Sequence, residues 1–161
     1  MLRLLHEKLA EAHGLAIASA RVCEAASDRS ESRALQRQLR HMRRESDETR
    51  ARCLRVEETL GAAIAEDMRA HAIMVDGKAS DVAHAWLDAG TDPLRAWLLV
   101  AMSEGAELAE WRAVAALAAD GRDSSTIREL ASWALAVQER HVSVALDGAA
   151  TLARSLARNE R

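Results

Sequence analysis

Apolar residues recur along most of the chain at alternating steps of three and four positions, the spacing that places side chains on one face of a helix. This pattern predicts four long helices, at about residues 2–26, 31–60, 93–120 and 124–157. The connection between the second and third has helical character in two pieces, about 62–75 and 80–89. We therefore predict an all-α fold, a single domain over residues 1–161 built as a four-helix bundle with a crossover connection that carries two short helices.

Turn and cap residues mark the ends of these predicted helices. Residues 27–30 are expected to form the turn between the first two helices, and Gly77 and Gly90 are expected to end the two short ones. Asp92 is expected to cap the third helix, with Pro93 in its first turn. Thr126 and Glu129 have the spacing of a capping box at the start of the fourth helix.

Composition supports a folded helical domain and excludes several classes of protein. Of the 161 residues, 49% are hydrophobic and 29% are charged, so neither a disordered nor a membrane-embedded chain is expected. The longest apolar runs, such as residues 96–102, are far too short to span a bilayer. The first residues include an acid and no apolar segment of signal-peptide length, so we expect a cytoplasmic protein.

Charge gives no general reason to expect a nucleic-acid partner, because the net charge is −3. An arginine stripe does follow the polar side of the second helix, and its functional interpretation is a phosphate or nucleic-acid contact. No aromatic residues interleave with the arginines, which favours a solvated outer face. The members of the stripe are Arg33, Arg37, Arg40 and Arg44.

Several apolar and sulfur-containing residues have specific expected places. Cys23 and Cys53 lie on predicted core faces and are expected to be buried free thiols. Trp97, Trp111 and Trp133 are expected in the core, with Trp86 on the connection. Some apolar residues of the third helix lie away from its buried stripe, and exposed apolar area of this kind predicts a homodimer. These residues are Leu99, Val114 and Leu117.

Each long helix has a polar residue inside its apolar stripe close to its midpoint. These residues are His13, Glu45 (with Ser46 and Thr49), Glu104 and His141. Helix midpoints lie at similar heights in a bundle, so these side chains are expected to converge. Two interpretations remain open. One is a divalent-metal site with His13, Glu45, Glu104 and His141 as ligands and Gln138 and Glu107 as further candidates. The other is a structural network in which Glu104 accepts hydrogen bonds from His13, His141 and Thr49.

Three segments resemble the YciE/YciF-type ferritin-like family. The first is Glu45-Ser-Asp-Glu-Thr-Arg-Ala-Arg-Cys-Leu-Arg-Val-Glu57, which is similar to the family's pattern of His-Leu-Glu-Glu-Thr, three residues later Gln or His, then Arg-Leu-Glu. The second is Glu104-Gly-Ala-Glu-Leu-Ala-Glu-Trp111, which is similar to Glu-His-Tyr-Glu-Ile-Ala-x-Tyr. The third is the segment 130–146 with Gln138-Glu139, where the family has a pair of glutamates.

The resemblance implies a ferritin-like bundle, often dimeric, associated with bacterial stress responses and able to hold a di-iron centre. Several positions depart from the family's ligands. Glu45 and Gly105 stand where the family has histidine, Arg52 where it has Gln or His, and Gln138 where it has the first glutamate of the fourth helix. Ala16 is the nearest match to the first-helix glutamate. These departures indicate a lost or remodelled metal site.

The leading hypothesis is therefore a non-catalytic ferritin-like bundle that acts by self-association or by binding a partner. No nucleophile elbow, phosphate loop or paired-cysteine motif is present in the sequence, so no catalytic residue and no cofactor is predicted. The alternative is a metal-binding ferritin-like protein that holds iron or another divalent metal inside the bundle.

Overall fold

The computed structural model describes residues 3–87, 90–119 and 124–159, and all of its regular structure is helical. Its helices are α1 (Leu4–Arg29), α2 (Arg33–Thr59), α3 (Ala62–Trp86), α4 (Pro93–Ala119) and α5 (Ser125–Asn159). The predicted all-α class is confirmed. None of these helices, within the described residues, combines the length and the apolar character that crossing a membrane needs.

The helix ends confirm some of the predicted caps and correct others. Asp92 caps α4, with its Oδ1 accepting the Arg95 N–H at 2.9 Å. The turn between α1 and α2 falls later than predicted, because α1 continues to Arg29 and the hydroxyl of Ser32 caps α2. The predicted capping box is wrong: α5 begins at Ser125, so Thr126 already lies within its first turn.

The crossover connection is one helix rather than two short ones. α3 runs unbroken through Gly77, where the space around the missing Cβ is open. A glycine inside a helix costs only about 0.5–1 kcal/mol, and the α3 residues on either side of it pack against α1, which offsets that cost. Gly90 lies in a turn, and the predicted end of the second piece at residues 88–89 is outside the described residues.

Side-chain pairs between helices give the direction of each helix. α1 is antiparallel to α2, because His13 pairs with Glu57 while Glu24, further along α1, pairs with Arg43. Contacting pairs also run in opposite order along α1 and α4, so these two helices are antiparallel. The same is true of the pairs that α5 makes with α4 and with α2, so α5 is antiparallel to both. α3 is parallel to α1, since its residues 71, 76 and 80 pair in order with residues 11 and 21 of α1.

The core lies between α1, α2, α4 and α5, with α3 packed on the outer side of α1. It consists of two apolar clusters, one around Trp111 and Leu9 and the other around Trp97 and Leu39. Trp97 and Trp111 are fully buried, as predicted, and Trp86 ends α3, the predicted connection. Trp133, also predicted in the core, packs against the first cluster but is only half-buried. Cys23 and Cys53 are buried free thiols, which is also confirmed.

The surface predicted for the homodimer is wrong. Leu99 and Val114 are buried in the chain's own core, and Leu117 is half-buried. The apolar face of α4 is wider than one stripe because α4 packs on both α1 and α5. These residues therefore give no support to a homodimer, and any self-association must use other side chains.

Replacing Gly14 with alanine is expected to lower the free energy of unfolding by about 1–3 kcal/mol, the cost of overpacking a core contact. A Cβ on Gly14 would lie 2.5 Å from the backbone oxygen of Ala72 on α3, which cannot move as a flexible side chain can. Gly77→Ala and Gly105→Ala are matched controls, since neither Cβ would meet an atom within 4 Å. Urea denaturation should show these two variants equal to or more stable than wild type. A Gly14→Ala variant as stable as these controls would contradict the close contact between α1 and α3.

Candidate functional site: a buried histidine–carboxylate layer

A layer of polar side chains separates the two apolar clusters of the core. We call it the polar layer, and each of its members is at most 3% exposed. All four helices that enclose the core contribute to it, as the midpoint argument predicted. Its members are His13, Ser19, Ser46, Thr49, Glu57, Glu104, Glu107, Gln138 and His141.

His141 joins two helices by using both nitrogens of its ring. Nδ1 lies 3.0 Å from Oε2 of Glu104 on α4, and Nε2 lies 2.9 Å from Oε2 of Glu45 on α2. Carboxylates accept hydrogen bonds, so a ring with a carboxylate at each nitrogen donates from both and is an imidazolium. Three of the four predicted ligands, Glu45, Glu104 and His141, therefore do come together.

Charges around His141 are balanced. Burial alone would lower the pKa of His141, but the hydrogen bonds and negative charges of Glu104 and Glu45 outweigh it and raise the pKa above its usual value. Glu45 is half-buried at the edge of the layer, and it also accepts a hydrogen bond from Arg140 at 2.6 Å. Burial favours a higher pKa for Glu45, but the bonds from His141 and Arg140 lower it. Two carboxylates are thus matched by one imidazolium and one guanidinium.

His13, the fourth predicted ligand, belongs to a different pair. Its Nδ1 lies 2.7 Å from Oε1 of Glu57, and both side chains are buried. Burial of Glu57 was not predicted from the sequence, because the neighbouring Val56 continues the apolar stripe equally well. A signal was present: residues 49, 53 and 57 of α2 follow one another at steps of four, so Glu57 shares their face.

Glu104 has one further hydrogen-bond partner, and two of its predicted hydrogen-bond donors, Thr49 and His13, bond to other groups. The thiol of Cys23 donates to Oε1 of Glu104 at 3.7 Å. Thr49 does not bond to Glu104, because its hydroxyl donates to the backbone oxygen of Glu45 one turn earlier. His13 is held by Glu57 instead. Burial and the negative charge of Glu104 raise the pKa of the Cys23 thiol well above its usual value, so it stays protonated and able to donate.

Glu107 and Gln138 are also buried within the polar layer. Oε1 of Glu107 accepts the indole N–H of Trp111 at 3.2 Å, while its Oε2 has no hydrogen-bond partner among the described residues. Both polar atoms of the Gln138 amide are likewise without a partner there, as are Nε2 of His13 and Oε2 of Glu57. Burial, and then the charge of Glu104, raise the pKa of Glu107 to about 8, so its carboxyl group is protonated at neutral pH.

The fit of these residues to a di-iron centre is poor. Within the described parts of the chain, no three His, Cys, Asp or Glu ligand atoms of the polar layer lie within 4.8 Å of one another. Both ring nitrogens of His141 are hydrogen-bonded to carboxylates. Arg52, which stands where the resembled family has Gln or His, points away from the layer, pairs with Glu48 and stacks on Trp133. Among the described residues of the polar layer, unpartnered ligand atoms belong to Glu57, Glu107, Gln138 and His13.

Comparisons with known proteins add nothing to this geometry. No protein-family model, curated protein or solved structure matches the chain. The four arginines of the stripe on α2 are all exposed, as expected of a solvated face. The geometry of the polar layer therefore remains the main basis for a functional assignment.

Glu107→Gln is expected to remove a loss of stability that wild type shows between about pH 4.5 and pH 8. The folded chain keeps a proton on Glu107 that the unfolded chain releases, so wild-type stability falls as pH rises from about 4.5 to about 8. Glutamine cannot ionise and still offers an oxygen to Trp111. The free energy of unfolding of the variant, measured by urea denaturation, should exceed that of wild type at pH 8 by at least about 1.4 kcal/mol, which corresponds to a shift of one pKa unit. Glu129→Gln, at an exposed site on α5, is the control, and profiles that stay parallel from pH 5 to pH 9 would contradict the prediction.

Proposed function

We propose that this chain is a non-catalytic, ferritin-like four-helix bundle protein of the cytoplasm that acts by self-association or by binding a partner. The observation that supports this best is the occupation of both ring nitrogens of His141 by carboxylates at 2.9 and 3.0 Å. A histidine held in this way stabilises the bundle by joining α5 to α2 and α4. It would have to break one of these bonds before it could bind a metal.

The arrangement of the helices supports the ferritin-like part of the proposal. α1 and α5 run in one direction and α2 and α4 in the other, so the connection after α2 must return along the length of the bundle. α3 makes that return, parallel to α1 and on its outer side. Ferritin-like folds have one such long crossover. A role in stress responses follows from the resemblance in sequence and is part of the same proposal.

Glu104→Gln in metal-free protein tests the structural role of the layer. After dialysis against a chelator, wild type should keep its helix content by circular dichroism and its urea midpoint. The variant should lose roughly 1–3 kcal/mol, the size of a buried charge-assisted hydrogen bond. That loss should shrink as pH rises through the folded-state pKa of His141, because protonated His141 is what Glu104 stabilises. A tightly bound stoichiometric metal that disappears in Glu104→Gln would overturn the proposal.

The apolar side chains that do lie on the surface of α4 support self-association. Leu98 and Met102 are one helical turn apart and are 44% and 50% exposed. A homodimer through this face would shield both. Light scattering should give a dimer mass at micromolar concentration for wild type and a monomer for Leu98→Glu with Met102→Glu. Ile73→Glu, on the exposed face of α3, should stay dimeric. A monomeric wild type would exclude this mode of action and leave binding of another partner.

A metal-binding bundle is the second candidate function. The observation that favours it is the set of buried ligand atoms without a partner among the described residues: Oε2 of Glu57, Oε2 of Glu107, the amide of Gln138 and Nε2 of His13. Buried polar atoms of this kind are costly unless a water or an ion satisfies them. Elemental analysis for iron and other divalent metals in wild type and in Glu57→Gln, both purified without a chelator, separates the two candidates, because only a metal held inside the bundle should be lost in the variant.

A further inference from the structure

Three side chains with metal-ligand atoms meet outside the polar layer, where α1 and α3 run side by side. Glu7 and Glu11 lie one turn apart on α1, and His71 faces them from α3. One ligand atom from each lies within 4.8 Å of the other two, which no other set of His, Cys, Asp and Glu achieves in the parts of the chain that the structure describes. All three side chains are half-buried, so an ion from solvent can reach them.

The spacing of the histidine and one glutamate suits two ligands of a single ion. Nε2 of His71 lies 3.4 Å from Oε1 of Glu11. A strong hydrogen bond between an imidazole and a carboxylate is shorter, about 2.7–2.9 Å. Two ligands at about 2.0–2.2 Å from a tetrahedral zinc ion lie about 3.3–3.6 Å apart. Little side-chain movement is therefore needed for both atoms to coordinate one ion.

Glu11 can serve an ion without giving up its existing partner. Its Oε2 pairs with the ammonium group of Lys8, while Oε1 faces His71. Lys8 also lies 3.5 Å from Oε2 of Glu110. Two carboxylates thus share one ammonium, and Glu7 lies close to Glu11, so the cluster carries an excess of negative charge that attracts a cation.

The backbones that carry these ligands are held in place by close packing. Ala72, the residue after His71, approaches Gly14 so closely that a Cβ there would lie 2.5 Å from its oxygen. Arg21 fastens the same two helices further along by pairing with Asp76 and Ser80. Ligand groups on helices fixed in this way are preorganised.

We propose that Glu7, Glu11 and His71 form a binding site for a divalent cation of the zinc class, which fastens α3 to α1. One imidazole with two carboxylates suits zinc better than magnesium or calcium, which prefer oxygen ligands alone. Three protein ligands leave a fourth tetrahedral position for water. The site is independent of the polar layer, because it shares no residue with it.

Zinc chloride titrated into the untagged, chelator-treated full chain by calorimetry tests this proposal. One ion per chain is expected, and the cobalt-loaded protein should show the visible absorption of tetrahedral coordination. His71→Ala should weaken zinc binding at least 10-fold. His84→Ala is the matched control, because His84 is an exposed histidine on the same helix whose Nδ1 lies 2.8 Å from the backbone oxygen of Ser80. Glu7→Gln should weaken binding as well, without disturbing any ion pair that Glu11 makes.

The same titration distinguishes this site from an interior one. Glu104→Gln should bind zinc as wild type does, and zinc should raise the melting temperature of wild type and Glu104→Gln but not of His71→Ala. The proposal is overturned if zinc fails to bind at millimolar concentration, or if His84→Ala weakens binding as much as His71→Ala. Binding that is lost in Glu104→Gln but kept in His71→Ala would overturn it too, and would favour the metal-binding bundle instead.

Discussion

Trp97→Ala is expected to lower the free energy of unfolding by about 3–5 kcal/mol, among the largest effects of any single substitution in this chain. The indole is fully buried in the cluster around Leu39, and its ring lies directly over Gly148 of α5. Alanine would leave a large cavity lined by the backbone of α5, which cannot collapse to fill it. Urea denaturation followed by circular dichroism measures the loss. Trp86→Ala is the control, because Trp86 is half-buried and its contact with Arg95 is an exposed cation–π pair, so about 1 kcal/mol or less is expected.

Gly148→Ala gives the same contact a second test. A Cβ at Gly148 would lie under 3.0 Å from three atoms of the Trp97 ring, so the substitution alone should cost about 1–3 kcal/mol. In a Trp97→Ala background the added methyl group has space, and most of that cost should disappear. Additive losses in the double variant would show that Trp97 and Gly148 are not in contact.

His141→Leu is expected to cost about 3–5 kcal/mol at pH 6, because it leaves the buried carboxylate of Glu104 without its charged partner. The loss should narrow as pH rises. The pKa of His141 is raised in the folded chain, so its protonation contributes stability that is fully present below about pH 6.5 and is lost as pH passes the folded-state value. Urea denaturation from pH 5 to pH 9 measures this change. His41→Leu is the control, since His41 is exposed and should change stability by less than about 0.5 kcal/mol.

The double variant His141→Leu with Glu104→Leu should recover most of that stability. Replacing both members of a buried ion pair with apolar residues of similar size is often neutral or stabilising. Glu45 keeps its bond to Arg140 in this variant, so it is not left without a cation. A double variant that is less stable than His141→Leu would indicate that the polar layer contributes more than this pair.

Helix positions were predictable from the sequence, and the breaks between helices were less so. Long periodic stretches specify a buried face, and α1, α2, α4 and α5 lie within a few residues of their predicted ranges. The predicted break at Gly77 was wrong, because glycine is a poor helix former and the contacts that α3 makes on either side of it are with α1, 55 to 60 residues earlier in the chain. The predicted exposure of Leu99 and Val114 was wrong because a helix with two neighbours can bury more than one face.

The location of the polar layer was predictable from the sequence, but its histidine–carboxylate pairs were not. The interruption of an apolar stripe identifies His13, Glu104 and His141 as buried and at similar heights. Which carboxylate each histidine meets depends on the rotation of the helices about their own axes, and a shift of one residue turns a side chain by about 100°. Val56 and Glu57 illustrate this, because they are neighbours in the chain that point about 100° apart and both are buried.

The return of the chain along α3 has a consequence for how fast this protein folds. Contacts that join the two halves of the chain connect distant positions, 81 residues apart for Cys23 with Glu104 and 96 for Glu45 with His141. Helical proteins owe their usual speed to local contacts, and folding slows as the average separation of contacting residues grows. The hairpins α1–α2 and α4–α5 can each form locally, whereas the polar layer is complete only when they dock. We therefore expect docking, not helix formation, to set the folding time.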